Sequence, residues 1–249
     1  MKKKPKALVL VRGLIRTGSH WYGFDQTIEN KYAGCFDKIF TVDLPVGQNL
    51  KEQIRLSNPV NFISELNSKI PEGYELTYFG VSLAGLAGIN LLSTYPNKYK
   101  KVIAINTSHP KLSNVFERIK FIPALVIFLT RLFKKSECER EILFYTINDS
   151  SIRLQYLEKA TLLFKKNPWT INQLFSQLVV ATKLKKIPSS GKALAILASQ
   201  NDMLVPIKNS KVIAKSLQSH LYLNHKAGHD LTTEDPDWVL DTLDKIFEG

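Results

Sequence analysis

Residues 75–95 read ELTYFGVSLAGLAGINLLSTY, an apolar strand-like run, a tight turn Gly80-Val81-Ser82-Leu83-Ala84-Gly85, and a helix of small residues. This is the layout of a nucleophile elbow. A serine lodged between a strand and a helix is held in a cramped backbone conformation that lifts its hydroxyl above the carboxyl edge of a sheet. Only very small neighbours permit the turn, and Gly80 and Ala84, two residues either side of Ser82, provide them. Small-x-Ser-x-small patterns also arise by chance, so a Gly/Ser-rich turn without chemistry is the alternative that the six residues leave open.

The regions downstream weigh against that alternative. Hydrolases built on such an elbow deliver their groups in the order Ser, then Asp or Glu, then His, each from a loop after a later strand. ALAILAS (193–199) is a short apolar strand that leads into QNDMLVP and places Asp202 in a loop. HLYLN (220–224) is another, followed by HKAGHD, which places His229 in the next loop. Both loops precede helical patterns, so both open on the edge that carries Ser82. His225 is a rival base, but it falls at the strand's end, whereas Gly228 gives His229 a flexible approach. The loop after the strand at 101–106 reads NTSHP and offers no carboxylate, which favours Asp202 as the acid.

Strands and helices alternate through 7–12, 20–31, 38–43, 50–69, 75–80, 82–95 and 101–106, and resume with 193–199, 206–218, 220–224 and 236–248. Such alternation predicts an α/β fold, a mostly parallel central sheet with helices on both faces. Residues 111–190 lack a convincing strand. Apolar residues recur there at helical spacing, and breaks at Pro123, at Asn148 to Ser151 and at Asn167-Pro168 predict about four helices. Residues 1–110 and 191–249 are thus read as the core, and 111–190 as an inserted helical cap.

Five segments, RGLIRTGSHW, TVDLPVG, GVSLAG, NDMLVP and AGHDL, together with the elements between them, resemble the α/β-hydrolase superfamily, specifically its small capped bacterial esterase-like proteins. Ala84 stands where the commoner elbow has glycine. The resemblance implies that 111–190 covers the active site; its many apolar residues are candidates to line an acyl groove, although most are expected to pack the cap against the main domain. Serine's hydroxyl is too weak an acid to attack an ester unaided, so a histidine must take its proton and a carboxylate must orient that histidine. Ser82 is assigned as nucleophile, His229 as base and then acid, and Asp202 as the orienting carboxylate. The backbone N–H groups of Leu83 and, by resemblance, Leu14 are the candidate oxyanion donors. Arg12, where many relatives have His, is read as an anchor for its loop. Gly13, His20, Trp21 and His109 are pocket candidates, with helix-start packing the favoured role for Trp21.

The chemistry expected is cleavage of a carboxylic ester or thioester through an acyl-enzyme. A catalytically silent binding protein of the same fold, and an acyltransferase using the same three residues, are the alternatives. No metal or nucleotide cofactor is expected, because HExxH, a cysteine cluster and a phosphate loop are all missing from the sequence.

The net charge of +12 is unevenly spread: residues 111–190 hold fourteen basic and six acidic side chains, two thirds of the surplus in a third of the chain. That skew predicts attraction to an acidic carrier protein or anionic lipid, or else a solubilising surface; nucleic acid is not expected, since no reading motif accompanies the charge. Cys35 and Cys138 support neither a disulfide framework nor a zinc site, and a cytoplasmic location is the default. The start, MKKKPK, is read as a lead-in to the first strand, its apolar run being shorter than the roughly 7–15 residues of a secretory core. FIPALVIFL (121–129) falls short of the roughly 20 residues of a membrane span.

Overall fold

A computed structural model describes residues 4–248, and the beginning of the lead-in, residues 1–3, lies outside them. Six apolar runs become strands: β1 (Lys6–Val11), β2 (Lys38–Thr41), β3 (Glu75–Val81), β4 (Tyr99–Ile105), β5 (Leu194–Ser199) and β6 (His220–Asn224). All pairings are parallel, in the order β2-β1-β3-β4-β5-β6. Side chains alternate across a strand, so β1 sends Leu8 and Leu10 to one face and Ala7, Val9 and Val11 to the other, and all five are fully buried. Helices α1 (Phe24–Tyr32) and α12 (Pro236–Glu248) cover the first face, where Ile28, Tyr32, Val239 and Leu243 pack on Leu8, Leu10 and Phe79. Helices α3 (Pro59–Ser68), α4 (Leu83–Thr94) and α10 (Lys208–Leu217) cover the second with Phe62, Leu66, Leu86 and Ile213.

The strand order turns between β1 and β3. The chain leaves β1 toward β2 on one side and continues from β3 on the other, so the loops after β1 and β3 part at the carboxyl edge and open a crevice. Gly13 and Ser82 stand on its two sides. A side chain on Gly13 would meet the Val81 carbonyl oxygen at 3.0 Å and Ser82 Cβ at 3.1 Å, so glycine is what lets the loops come so close.

Between β4 and β5 come five α-helices: α5 (Val115–Arg118), α6 (Phe121–Phe133), α7 (Cys138–Thr146), α8 (Ser150–Lys166) and α9 (Ile171–Lys183). Pro123 does not break the pattern as expected. It sits in the first turn of α6, where a backbone N–H would have no intrahelical acceptor, and the interruption falls earlier, at Ile119 and Lys120. The break at 148–151 is the start of α8, whose cap residue Asp149 accepts from the N–H groups of Ser151 and Ile152. Helix α2 (Leu50–Leu56) and the short α11 (Leu231–Glu234) complete the set among the described residues.

Candidate active site

Ser82 has φ 55° and ψ −117°, a conformation that residues with a side chain rarely adopt and that costs on the order of 1–3 kcal/mol. Its surroundings compel it. The Ser82 N–H donates to the Ile105 carbonyl at 2.7 Å, and the Ser82 carbonyl accepts from the Leu86 N–H at 3.1 Å and from Thr107 Oγ1 at 2.9 Å. A Cβ on Gly80 would lie 2.6 Å from the backbone of Ala84, and one on Gly85 would lie 3.1 Å from the Gly80 carbonyl oxygen. Ala84 itself is fully buried without disturbing the turn, so the departure from glycine at this position is accommodated.

His229 and Asp202 arrive from loops after β6 and β5. His229 Nδ1 donates to Asp202 Oδ2 at 2.7 Å, and Asp202 Oδ1 accepts from the N–H groups of Leu204 and Val205 at 2.7 and 2.8 Å. Both carboxylate oxygens are thus engaged, which fixes the ring and leaves Nε2 as its free nitrogen. Burial by itself would lower the His229 pKa; the Asp202 charge and hydrogen bond outweigh it and carry the pKa above its ordinary value. Among the described residues no hydrogen bond joins Ser82 Oγ to His229 Nε2, but both residues line one cavity. Such bonds commonly tighten when substrate is bound.

Asn106 is a positioning residue that the sequence reading passed over. It lies in the left-handed region at φ 47°, and its Nδ2 donates to the His229 carbonyl at 2.8 Å and to Ser199 Oγ at 3.0 Å, while its Oδ1 accepts from the Ser199 N–H at 2.7 Å. It therefore fastens the histidine loop to the ends of β4 and β5. The signal available in the sequence is asparagine's tolerance of positive φ, at the first position of NTSHP.

The loop after β1 is held from a distance. The Arg12 guanidinium makes a two-pronged pair with Asp230, Nη1 to Oδ1 at 2.9 Å and Nη2 to Oδ2 at 2.6 Å, donates also to Thr232 Oγ1, and lies 4.9 Å from the Trp21 ring centroid. Burial would raise the Asp230 carboxyl, but the Arg12 charge and hydrogen bonds hold it below its usual range. Arg12 thus anchors the loop, with the residue beside His229 as its counterion. Arg16 Nη1 pairs with Glu139 Oε2 of α7 at 2.7 Å, and the Ile15 N–H donates to Gln177 Oε1 of α9 at 2.8 Å. The backbone N–H groups of Leu14 and Leu83 make no hydrogen bond among the described residues, so both are free to donate to a ligand.

These parts surround a cavity of about 370 Å³, within the roughly 300–1,000 Å³ of small-molecule sites. Gly13, Leu14, Ser82 and His229 face it from the sheet edge. Twelve of the twenty-three lining residues come from 111–190, among them Phe121, Phe128, Trp169 and Leu174, so the inserted helices build most of an apolar wall.

Three pocket candidates lie elsewhere. His20 turns inward, its Nδ1 accepting from the Thr17 N–H at 3.1 Å; burial, with the charges of Arg16 and Arg12, pushes its pKa down to about 2. Trp21 is core, packed against Phe24 and Phe79. His109 is fully buried, accepting from the Lys111 N–H at Nδ1 and donating from Nε2 to the Lys186 carbonyl, and burial pushes its pKa down to about 4. Trp21 thus has the packing role favoured for it from the sequence; for His20 and His109, nearness in sequence to a loop of the site does not determine where a ring points. His225, the rival base, is exposed and bonded to Gln200 at 2.5 Å, outside the cavity.

No family model matches this chain, and no curated protein matches it. Solved structures do. A 2-hydroxy-6-oxo-6-phenylhexa-2,4-dienoate hydrolase from Rhodococcus sp. strain RHA1 superposes with a TM-score of 0.71 at 14% identity, over 98% of this chain and 91% of that one. A hydrolase from Oleispira antarctica gives 0.73 at 14% over 99% and 92%, and an esterase from Exiguobacterium antarcticum gives 0.71 at 12% over 99% and 94%. At such identities the likeness is one of fold.

Proposed function

We infer that this chain, whose fold is the α/β-hydrolase fold, is a serine hydrolase that cleaves a carboxylic ester or thioester. The observation that carries the reading is the strained Ser82 backbone on the wall of an apolar cavity that also holds His229, itself paired with Asp202. The neighbours described above are named as hydrolases and an esterase, which supports the same class of reaction.

In this reading Ser82 Oγ attacks the acyl carbon while its proton passes to His229 Nε2. The charge that develops on the acyl oxygen is met by the N–H groups of Leu14 and Leu83. Collapse of the tetrahedral species breaks the bond to the leaving group, which takes the proton back from Nε2–H and departs as an alcohol or thiol. A water then repeats the sequence on the Ser82 ester and frees the acid. Asp202 keeps the proton on Nδ1 throughout, so that Nε2 begins each half-reaction as a base and stabilises as imidazolium midway. Residues 111–190 act as a cap whose apolar wall takes the acyl group and excludes water from the charged steps.

A fluorophosphonate probe tests this directly. It should form one covalent adduct per chain, located to Ser82 by peptide mass analysis, and Ser82→Ala should take none. Folded protein that takes no label, or takes it on another serine, overturns the assignment.

A further inference from the structure

Helix α6 reads FIPALVIFLTRLF, with Arg131 as its one charged residue, and that charge turns inward. The Arg131 guanidinium is buried, donates to the Trp169 carbonyl at 2.5 Å, and lies 5.3 and 4.8 Å from the ring centroids of Phe164 and Trp169. What faces outward is Phe121 (74% exposed), Ile122 (70%), Leu125, Leu129, Leu132 and Phe133 (80%). At ~100° per residue these six fall within an arc of about 120°, one continuous apolar face along the helix. Phe116 of α5, which directly precedes this helix in the chain, is also 89% exposed. Single exposed apolar residues are ordinary; a contiguous set of this kind marks a surface that meets something.

Two features identify its occupant. Lysines edge one end of the face. Lys134 and Lys135 follow α6, Lys165 and Lys166 end α8, and the stacking of Arg131 on Phe164 and Trp169 brings those ends together. The nearby ion pairs use other residues, Glu117 with Lys208, Glu137 with Arg140 and Glu139 with Arg16, so the four exposed lysines stay available. The face is also continuous with the cavity, since Ile119, Phe121 and Leu125 are at once exposed and cavity-lining.

We propose that the outer face of α5 and α6 docks on an anionic lipid bilayer, with α6 lying along the headgroup boundary and the lysine cluster against lipid phosphates. Its thirteen residues make a helix about 20 Å long, against roughly 30 Å of hydrocarbon in a bilayer, and no described helix is long and apolar enough to cross a membrane. An apolar face bordered by cations is the form of an interfacial helix, in which apolar burial and attraction to anionic lipid add. Its continuity with the cavity gives an acyl chain a path from bilayer to Ser82; that consequence rests on the hydrolase reading, whereas the docking does not.

Sedimentation with vesicles tests the docking. The full chain should bind vesicles of phosphatidylglycerol and phosphatidylcholine in equal parts far better than phosphatidylcholine alone, and less well as salt rises. The triple variant Phe116→Gln, Ile122→Gln, Phe133→Gln touches no cavity residue and should lower partitioning by about tenfold or more while hydrolysing a water-soluble ester normally. Reversal of Lys134, Lys135, Lys165 and Lys166 to Glu should abolish the preference for phosphatidylglycerol. Ser82→Ala should bind as the unaltered chain does, so loss of the catalytic assignment would leave the docking result standing. The proposal fails if the chain ignores anionic vesicles at low salt, if the triple variant partitions equally, or if the chain is a stable dimer without lipid that the triple variant makes monomeric. In that last outcome a second copy covers the face.

Discussion

The loops after β3 and β1 stand side by side at the mouth of the cavity, and each presents one spare backbone N–H, yet they are held in different ways. The β3 loop takes its shape from its own neighbours: Gly80 and Gly85 have no room for a side chain, and Ser82 is pinned by Ile105 and Thr107 of the adjacent strand end. The β1 loop is held by charge and by single hydrogen bonds from residues 123 to 220 positions away, Glu139, Gln177, Asp230 and Thr232. Sterics within a few residues, with two hydrogen bonds to the end of the neighbouring strand, make the first loop a largely local structure. The second exists only when the inserted helices and the histidine loop are in place.

Ser82→Ala marks the extreme of the local loop. It removes one oxygen from the cavity side of the elbow, and turnover of an activated ester should fall by on the order of 10⁵–10⁶-fold with the melting transition unmoved. A lowered melting transition with activity retained, or activity lost through unfolding, would break the contrast.

Asp202→Asn should lower turnover by roughly 10⁴-fold and change its pH dependence. The base must be neutral to act, and because Asp202 raises the His229 pKa, the acid limb of activity should have its midpoint above the ordinary 6.5. The variant's residual activity should have its acid limb at lower pH. Stability runs the other way. With the folded pKa raised, the pair's contribution is fully present below about pH 6.5 and is lost as pH climbs through the folded value, so thermal unfolding across pH 5 to 9 should show the variant's deficit narrowing toward alkaline pH.

Arg12→Ala tests the distant loop. It leaves Asp230 charged and buried beside His229 without its partner, and should cost about 3–5 kcal/mol in denaturant unfolding together with most of the activity. Pairing it with Asp230→Ala should recover part of the stability, since the cost is that of an unmatched charge. Equal losses in the single and double variants would mean that the guanidinium acts by packing on Trp21.

Gln177→Ala is the mildest probe. Loss of one hydrogen bond to the Ile15 N–H should cost about 0.5–1.5 kcal/mol. Its sharper signature should be kinetic: a lower kcat with fluorophosphonate labelling of Ser82 retained, because the remote support of the Leu14 donor is weakened while the elbow is intact.

The difference between the loops also explains what could be read from the chain alone. Strand periodicity, the small residues around Ser82 and the order of the later loops are local patterns written over a few residues, so the parallel sheet, the elbow and the candidates Ser82, Asp202 and His229 are legible in the sequence. Ring orientation is not local. His20 and His109 sit next to the right loops and turn inward, while Asn106, Glu139 and Gln177, which hold the site, lie in no motif, and Asp230 lies in AGHDL with nothing local to mark Arg12 as its partner.

Sequence by itself determined where the strands of the sheet and the loops after them fall and which side chains are candidates for chemistry, because hydrophobic spacing and the steric demand of a turn act between near neighbours. Only the tertiary structure decided which nitrogen of His229 faces the cavity, which carboxylate balances Arg12, and that the apolar residues of α6 point outward as well as in. Those outcomes depend on the desolvation and pairing of groups brought together from distant positions, and such energies exist only once the fold has closed around them.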